Sequence, residues 1–163
     1  MVEILSTLIK GYIMALWQYS LFVIPKFNDT IDNLSDFKDE DGLLDDEGLW
    51  QKSNVSTSFF NNINKILPLG KSWSENLIVY GDLETNCFEI YHKNDLVASA
   101  SFRIDFTSDY EYILYSILDF VQLNDLQILD EELNIIKTNT VSIKNLIENS
   151  RQYKLYHKLL DVK

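Results

Sequence analysis

Apolar side chains recur along this chain in two periods, and the switches between them mark the elements. Residues 15–24, ALWQYSLFVI, are rich in β-branched and aromatic types and predict a buried strand that ends at Pro25. The next stretch, 26–55, is polar, with isolated apolar anchors at Phe27, Ile31, Leu34, Phe37, Leu43, Leu44, Leu49 and Trp50. Ile31, Leu34 and Phe37 are spaced for one or two helical turns. In 56–67, Phe59, Phe60, Ile63, Ile66 and Leu67 repeat at helical spacing. Ser56 or Ser58 is placed to cap the start of that helix, and Pro68 and Gly70 to stop it. Residues 77–80, LIVY, predict a short strand.

Residues 86–92 and 96–106 predict two strands joined near Asn94-Asp95. Phe88, Ile90 and His92 share one face of the first, and Ala98, Ala100, Phe102, Ile104 and Phe106 one face of the second. A two-residue loop would pair Phe88 with Ser101 and Ile90 with Ser99, putting the two apolar faces on opposite sides of the sheet. A three-residue loop, Lys93 to Asp95, pairs Ile90 with Ala98 and Phe88 with Ala100. The longer turn is therefore expected, with Asn94 or Asp95 left-handed. Residues 108–124 predict a helix opened by a capping box, Ser108 with Glu111, and striped by Ile113, Leu114, Ile117, Phe120 and Val121. Residues 126–129 and 133–136, around Asp130-Glu131-Glu132, are expected as two short strands or one strand with a bend. Helix is expected over 140–160 with a break near Asn149-Ser150; Ile143, Leu146, Ile147, Tyr153, Tyr156, Leu159 and Leu160 face inward.

This order predicts an α+β fold: a mainly antiparallel sheet of about four to six strands with helices on one face, in a single domain over 14–163. Residues 1–13 are expected as an N-terminal extension or a short helix with Leu5, Leu8, Ile9 and Tyr12 on one face; Met14 is an alternative start. The 163-residue length suits one domain, and 46% apolar and 13% aromatic content suits a packed core.

Charge changes the picture most. The net charge is −11, which argues against nucleic-acid phosphates and anionic membrane surfaces and favours a basic partner. Residues 28–48 hold nine acidic side chains against Lys38 alone, a net −8. Like charges at that density cannot be buried unpaired, so an exposed loop is expected. It is either merely solvated or a docking surface for a basic protein. On the docking reading the partner-binding residues are Asp36, Asp39, Glu40, Asp41, Asp45, Asp46 and Glu47, with Trp50 as the aromatic anchor.

Catalytic and metal signatures fail at identifiable positions. Asp39, Asp41 and Gly42 fit positions 3, 5 and 6 of an EF-hand loop, but Phe37 and Gly48 then stand where the first ligand and the bidentate glutamate belong. His92 and His157 lack partners at metal-ligand spacing, and the single cysteine, Cys87, has no CxxC partner, so a structural role is expected. Phosphate-loop, dinucleotide and nucleophile-elbow motifs do not occur, and no cofactor is implied. Arg103 and Asp105 share a strand face with Ser99, Ser101 and Glu89, expected as a charge ladder on a solvated face or as a polar recognition surface. With one thiol and residues 1–25 lacking a basic leader or cleavage site, a cytoplasmic location is expected.

Tyr80-Gly81-Asp82, Asn86-Cys87-Phe88-Glu89-Ile90 and Phe102-Arg103-Ile104-Asp105 resemble a pattern in small bacterial immunity-type proteins encoded beside polymorphic or contact-dependent toxins. There a W/Y-G-x-x-x-x-N-x-x-E-I strand precedes an R-I-D-like strand end and a helix. The resemblance covers about residues 78–155. It implies a cytoplasmic, non-enzymatic protein that blocks one cognate toxin domain, often a basic nuclease. The alternatives are a small enzyme built on dispersed carboxylates and a structural or adaptor subunit.

Overall fold

The computed structural model describes residues 7–9, 12–26, 38–41 and 45–161. In chain order these form β1 (Thr7–Ile9), β2 (Tyr12–Met14), β3 (Gln18–Pro25), α1 (Asp46–Ser53), a 3-10 helix (Thr57–Lys65), β4 (Leu77–Gly81), β5 (Cys87–Lys93), β6 (Leu96–Asp105), α2 (Glu111–Leu123), β7 (Leu126–Leu129), β8 (Ile135–Ile136), α3 (Thr140–Asn149) and α4 (Arg151–Leu160). The fold class is α+β: β4-β5-β6-β3-β7-β8 is one six-stranded sheet, antiparallel at every pairing. β1 and β2 pair antiparallel, Thr7 opposite Met14, so this part of the first residues is a hairpin and not the expected short helix. Its Thr, Ile and Tyr content favours strand over helix. The helical turns expected around Ile31, Leu34 and Phe37 lie outside the described residues, as does Leu5.

The β5–β6 hairpin meets the demand for one apolar face in an unexpected way. The turn is the short one: Lys93 pairs with Leu96, and Asn94 and Asp95 both adopt positive φ, 50° and 65°. Two consecutive left-handed residues make a turn whose twist matches the strands. A β-bulge between Tyr91 and His92 then shifts the register, so that Ile90 faces Ala100 and Phe88 faces Phe102. The expected Ile90–Ala98 pairing is thus displaced by two residues. Its parity, which decides the faces, is kept.

With the faces set this way, Leu21, Val23, Phe88, Ile90, Ala100, Phe102 and Ile104 line the side of the sheet that receives the helices. Phe60 and Ile63 of the 3-10 helix, Leu114, Ile117 and Val121 of α2, and Ile143 and Ile147 of α3 close over them. Phe60 sits at the centre, its ring 5.6 Å from Trp50, 5.5 Å from Phe88 and 5.8 Å from Phe120. The expected helix at 56–67 is therefore present as a 3-10 helix, capped by Ser56. Its buried residues Thr57, Phe60 and Ile63 recur every three, the spacing that a 3-10 helix stacks on one edge.

Two local expectations are overturned. The capping box does not form: α2 begins after Tyr110 without a side-chain cap. The Ser108 hydroxyl instead donates to the Asp105 carbonyl and accepts from Asn86, and Glu111 pairs with Lys144. Leu159 and Leu160 are exposed, because only Tyr153 and Tyr156 of α4 reach the core, where both pack on Phe106. The break at Ser150 is as expected, with its hydroxyl accepting from the Tyr153 amide.

Gly81 fixes the start of the β4–β5 loop. Its φ is +85°, and a Cβ there would stand 2.3 Å from the Asn86 carbonyl oxygen. Gly81→Ala should lower unfolding stability by about 2 kcal/mol or more in denaturant titration, since it meets both strain and a backbone clash. An alanine variant as stable as the parent would contradict this register.

Candidate functional site

The acidic segment reaches the body of the protein at α1. Asp46 and Glu47 lie in its first turn and Lys52 in its last, which suits the helix dipole. Asn54 ends it in the left-handed conformation, its amide returning to the Gln51 and Trp50 carbonyls. Two side chains bind α1 to the sheet. Leu49 packs with Phe22, Ile24 and Leu129 on the face away from the other helices. Trp50 enters the main core, only 1% exposed, and its indole N–H donates to the Val23 carbonyl at 3.2 Å. Trp50 is therefore a core residue and not the expected surface anchor: its large ring seals the end of the β3–β6 ladder.

The other residues expected to bind a partner fall into different settings. Asp39, Glu40, Asp41 and Asp45 are exposed, and the Asp39 carboxylate accepts the Asp41 amide at 3.0 Å. Asp36 lies outside the described residues. The Glu47 carboxylate meets Lys93 at 2.6 Å and accepts from Gln51. That pair borders a groove of about 210 Å³ between α1 and the β5–β6 turn, floored by Trp50, Val97 and Ala98. Asp46 is half-buried, with Ser99 of β6 beside its carboxyl. Its Oδ2 has no hydrogen-bond partner among the described residues, and burial pushes the carboxyl up to about 6.

The face with Arg103 and Asp105 is not solvated. Glu89 is 2% and Arg103 8% exposed, and the Arg103 guanidinium donates to Glu89 Oε1 at 3.1 Å and lies 2.9 Å from Oε2. Burial raises the Glu89 carboxyl while Arg103 opposes the shift. Cys87 beside them is fully buried, its thiol pushed up to about 12 by desolvation and then by the Glu89 charge, so it is inert. Asn86 accepts the Asp105 amide at 2.8 Å, and Asp105 accepts from the Thr107 amide and hydroxyl. Gln18, wholly buried, donates to the carbonyls of Leu83 and Thr85. Asn86 with Asp105, and Glu89 with Arg103, thus form two buried polar pairs.

Among the exposed aromatics that sequence reasoning passed over is Trp73. It stands 69% exposed on the loop before β4, with its ring 6.3 Å from Tyr91. Its signal was legible: a tryptophan between two serines in a stretch with no apolar period. His92 is half-buried and His157 packs on Tyr153. Among the described residues no group of three or more His, Cys, Asp or Glu could hold a metal, and no helix is long and apolar enough to cross a membrane. Comparison with protein-family models, curated proteins and solved structures gives no match to this chain.

Two outcomes follow. Arg103→Met should cost about 3–5 kcal/mol of stability by stranding a buried carboxylate, while Glu89→Leu with Arg103→Met should restore most of it. Denaturant midpoints decide, and equal losses in both variants would contradict the assignment. Asp46 is raised in the fold above its ordinary 3.8. The stability it contributes is full below that pH and is lost as pH rises through about 6. Asp46→Asn should therefore gain stability relative to the parent between pH 4 and pH 7, read as a growing difference in Tm. A constant difference would mean that Asp46 does not titrate in that window.

Proposed function

We propose that this chain is a protein-binding inhibitor of the immunity type, which neutralises a basic toxin domain by covering it with an acidic surface. The observation that carries this reading is the contrast between two sets of charged groups. Glu89, Arg103, Asp105 and Asp130 are buried and satisfied within the sheet and its turns. Asp39, Glu40, Asp41 and Asp45 stand in solvent on the segment that leads into α1. Exposed carboxylates suit capture of lysines and arginines that would otherwise hold nucleic-acid phosphates. The reading places the protein in the cytoplasm, where such a toxin acts, and makes it no enzyme.

A carboxylate-based enzyme is the second reading, and Asp46 favours it, since a raised carboxyl near neutrality suits general acid work. Its neighbours weigh against that role: Glu47 is tied to Lys93, and Asp46 itself faces Ser99.

The test is co-expression with the product of the gene immediately upstream. Neutralisation should restore host growth and yield a stable complex. Asp39→Asn, Glu40→Gln, Asp41→Asn and Asp45→Asn together should slow association at least about tenfold at low salt and flatten its salt dependence. A toxic upstream product that this chain neither binds nor neutralises would refute the reading.

A further inference from the structure

α4 is the basic element of an acidic chain. Residues 149–163 hold Arg151, Lys154, Lys158 and Lys163 against one acid, Asp161, a net +3 where the whole chain carries −11. Arg151, Lys154 and Lys158 are spaced i, i+3 and i+7, so they form one stripe on α4, and all three are exposed. Lys26, Lys93, Arg103 and Lys144 each meet a carboxylate of their own chain, whereas these three make no ion pair among the described residues. Helix stability does not explain them. Arg151 stands directly after the Ser150 cap and Lys154 one turn on, toward the end where the helix dipole disfavours cations. Leu159 and Leu160 add exposed apolar area at the end of the helix.

The complementary surface belongs to the same chain and lies at its other end. α1 docks near the end of β3 and the start of β6: Trp50 donates to the Val23 carbonyl, and Glu47 meets Lys93 beside the β5–β6 turn. Asp45 immediately precedes α1, and exposed Asp39, Glu40 and Asp41 lead into it. α4 docks at the far end of the same ladder, with Tyr153 and Tyr156 on Phe106, directly after β6. The ten residues of β6 lie between, about 33 Å of extended strand.

We propose that α4 of one copy docks on the acidic segment of a second copy, head to tail, with Arg151, Lys154 and Lys158 against Asp39, Glu40, Asp41 and Asp45. Charge complementarity selects this occupant. The two surfaces sit at opposite ends, so the contact forms between copies and is heterologous. The net charge of −11 opposes approach at long range. That repulsion is screened beyond about 10 Å at 0.1 M salt, while contact pairs persist. A basic partner competes for the same carboxylates. The inference stands apart from the immunity-type reading, which concerns a foreign protein.

Sedimentation equilibrium of the full chain tests it. At 0.1 M salt the mean mass should rise above the monomer's with protein concentration, and 1 M salt should reverse the rise. Arg151→Gln, Lys154→Gln and Lys158→Gln together should weaken self-association at least about tenfold, as should Asp39→Asn, Glu40→Gln, Asp41→Asn and Asp45→Asn together. Lys65→Gln, Lys71→Gln and Lys137→Gln, the same change of net charge at other exposed sites, should associate as the parent does. Mixing decides. The α4 variant keeps a whole acidic end and the acidic-segment variant a whole basic one, so their equimolar mixture should form a heterodimer that neither forms alone. Unaltered denaturant midpoints exclude loss of folding as the cause. A parent that stays monomeric, or a mixture no more associated than its components, overturns the proposal. Association that strengthens in 1 M salt also overturns it, since the exposed leucines would then drive the contact. Binding of a deca-glutamate peptide by a parent that stays monomeric gives α4 a foreign acidic partner and rules out the second copy.

Discussion

The register of the β5–β6 hairpin governs the rest of the molecule, because a slip of one residue would exchange the two faces of its longest strand. β6 lies between β5 and β3 and faces the helices with Ala100, Phe102 and Ile104. The same alternation puts Ser99, Ser101, Arg103 and Asp105 on the reverse. Two devices hold the register at the turn: a pair of left-handed residues, and a bulge directly after it. Asp95 contributes further. It accepts from the hydroxyls of Ser56 and Thr57, which join the turn to the 3-10 helix and hold its carboxyl below the usual range. Further along, the Glu89–Arg103 ion pair spans a diagonal of this register, since Cys87 lies opposite Arg103 and Glu89 opposite Ser101.

A buried ion pair adds little net stability over an apolar pair of the same size, but it penalises any register that separates its members. This explains why Glu89 and Arg103, in segments that resemble an immunity-type pattern, are buried together. Gly81 makes the turn, Asn86 holds the Asp105 amide, and Glu89 holds Arg103. Such a pattern specifies a frame, and recognition is left to other residues. The exposed carboxylates and Trp73 occupy the segments that join the framework strands, where side chains change without disturbing the core.

The sequence made the sheet legible wherever period and composition agreed: Gln18–Pro25, the hairpin strands, α2, and the Ser150 break between α3 and α4. It also revealed the correct hairpin parity, because a buried face constrains parity strongly. The turn length stayed hidden, because a bulge restores parity as well as a longer loop does. The contrast between buried Trp50 and exposed Trp73 was hidden for a similar reason. Each stands in a polar stretch, and only the docking of α1 against β3 draws Trp50 inward. The burial of Glu89 and Arg103 was equally invisible locally, since alternating polar residues on a strand look the same whether solvent or protein lies over them.

The central proposal is that the exposed carboxylates Asp39, Glu40, Asp41 and Asp45 serve recognition more than stability. Urea unfolding of Asp39→Asn, Glu40→Gln, Asp41→Asn and Asp45→Asn in one chain tests it most directly. Asparagine preserves the turn in which Asp39 accepts the Asp41 amide, while the mutual repulsion of the four charges is removed. The account predicts a midpoint equal to the parent's or higher. A loss of more than about 1 kcal/mol would show that these carboxylates are structural and would contradict it.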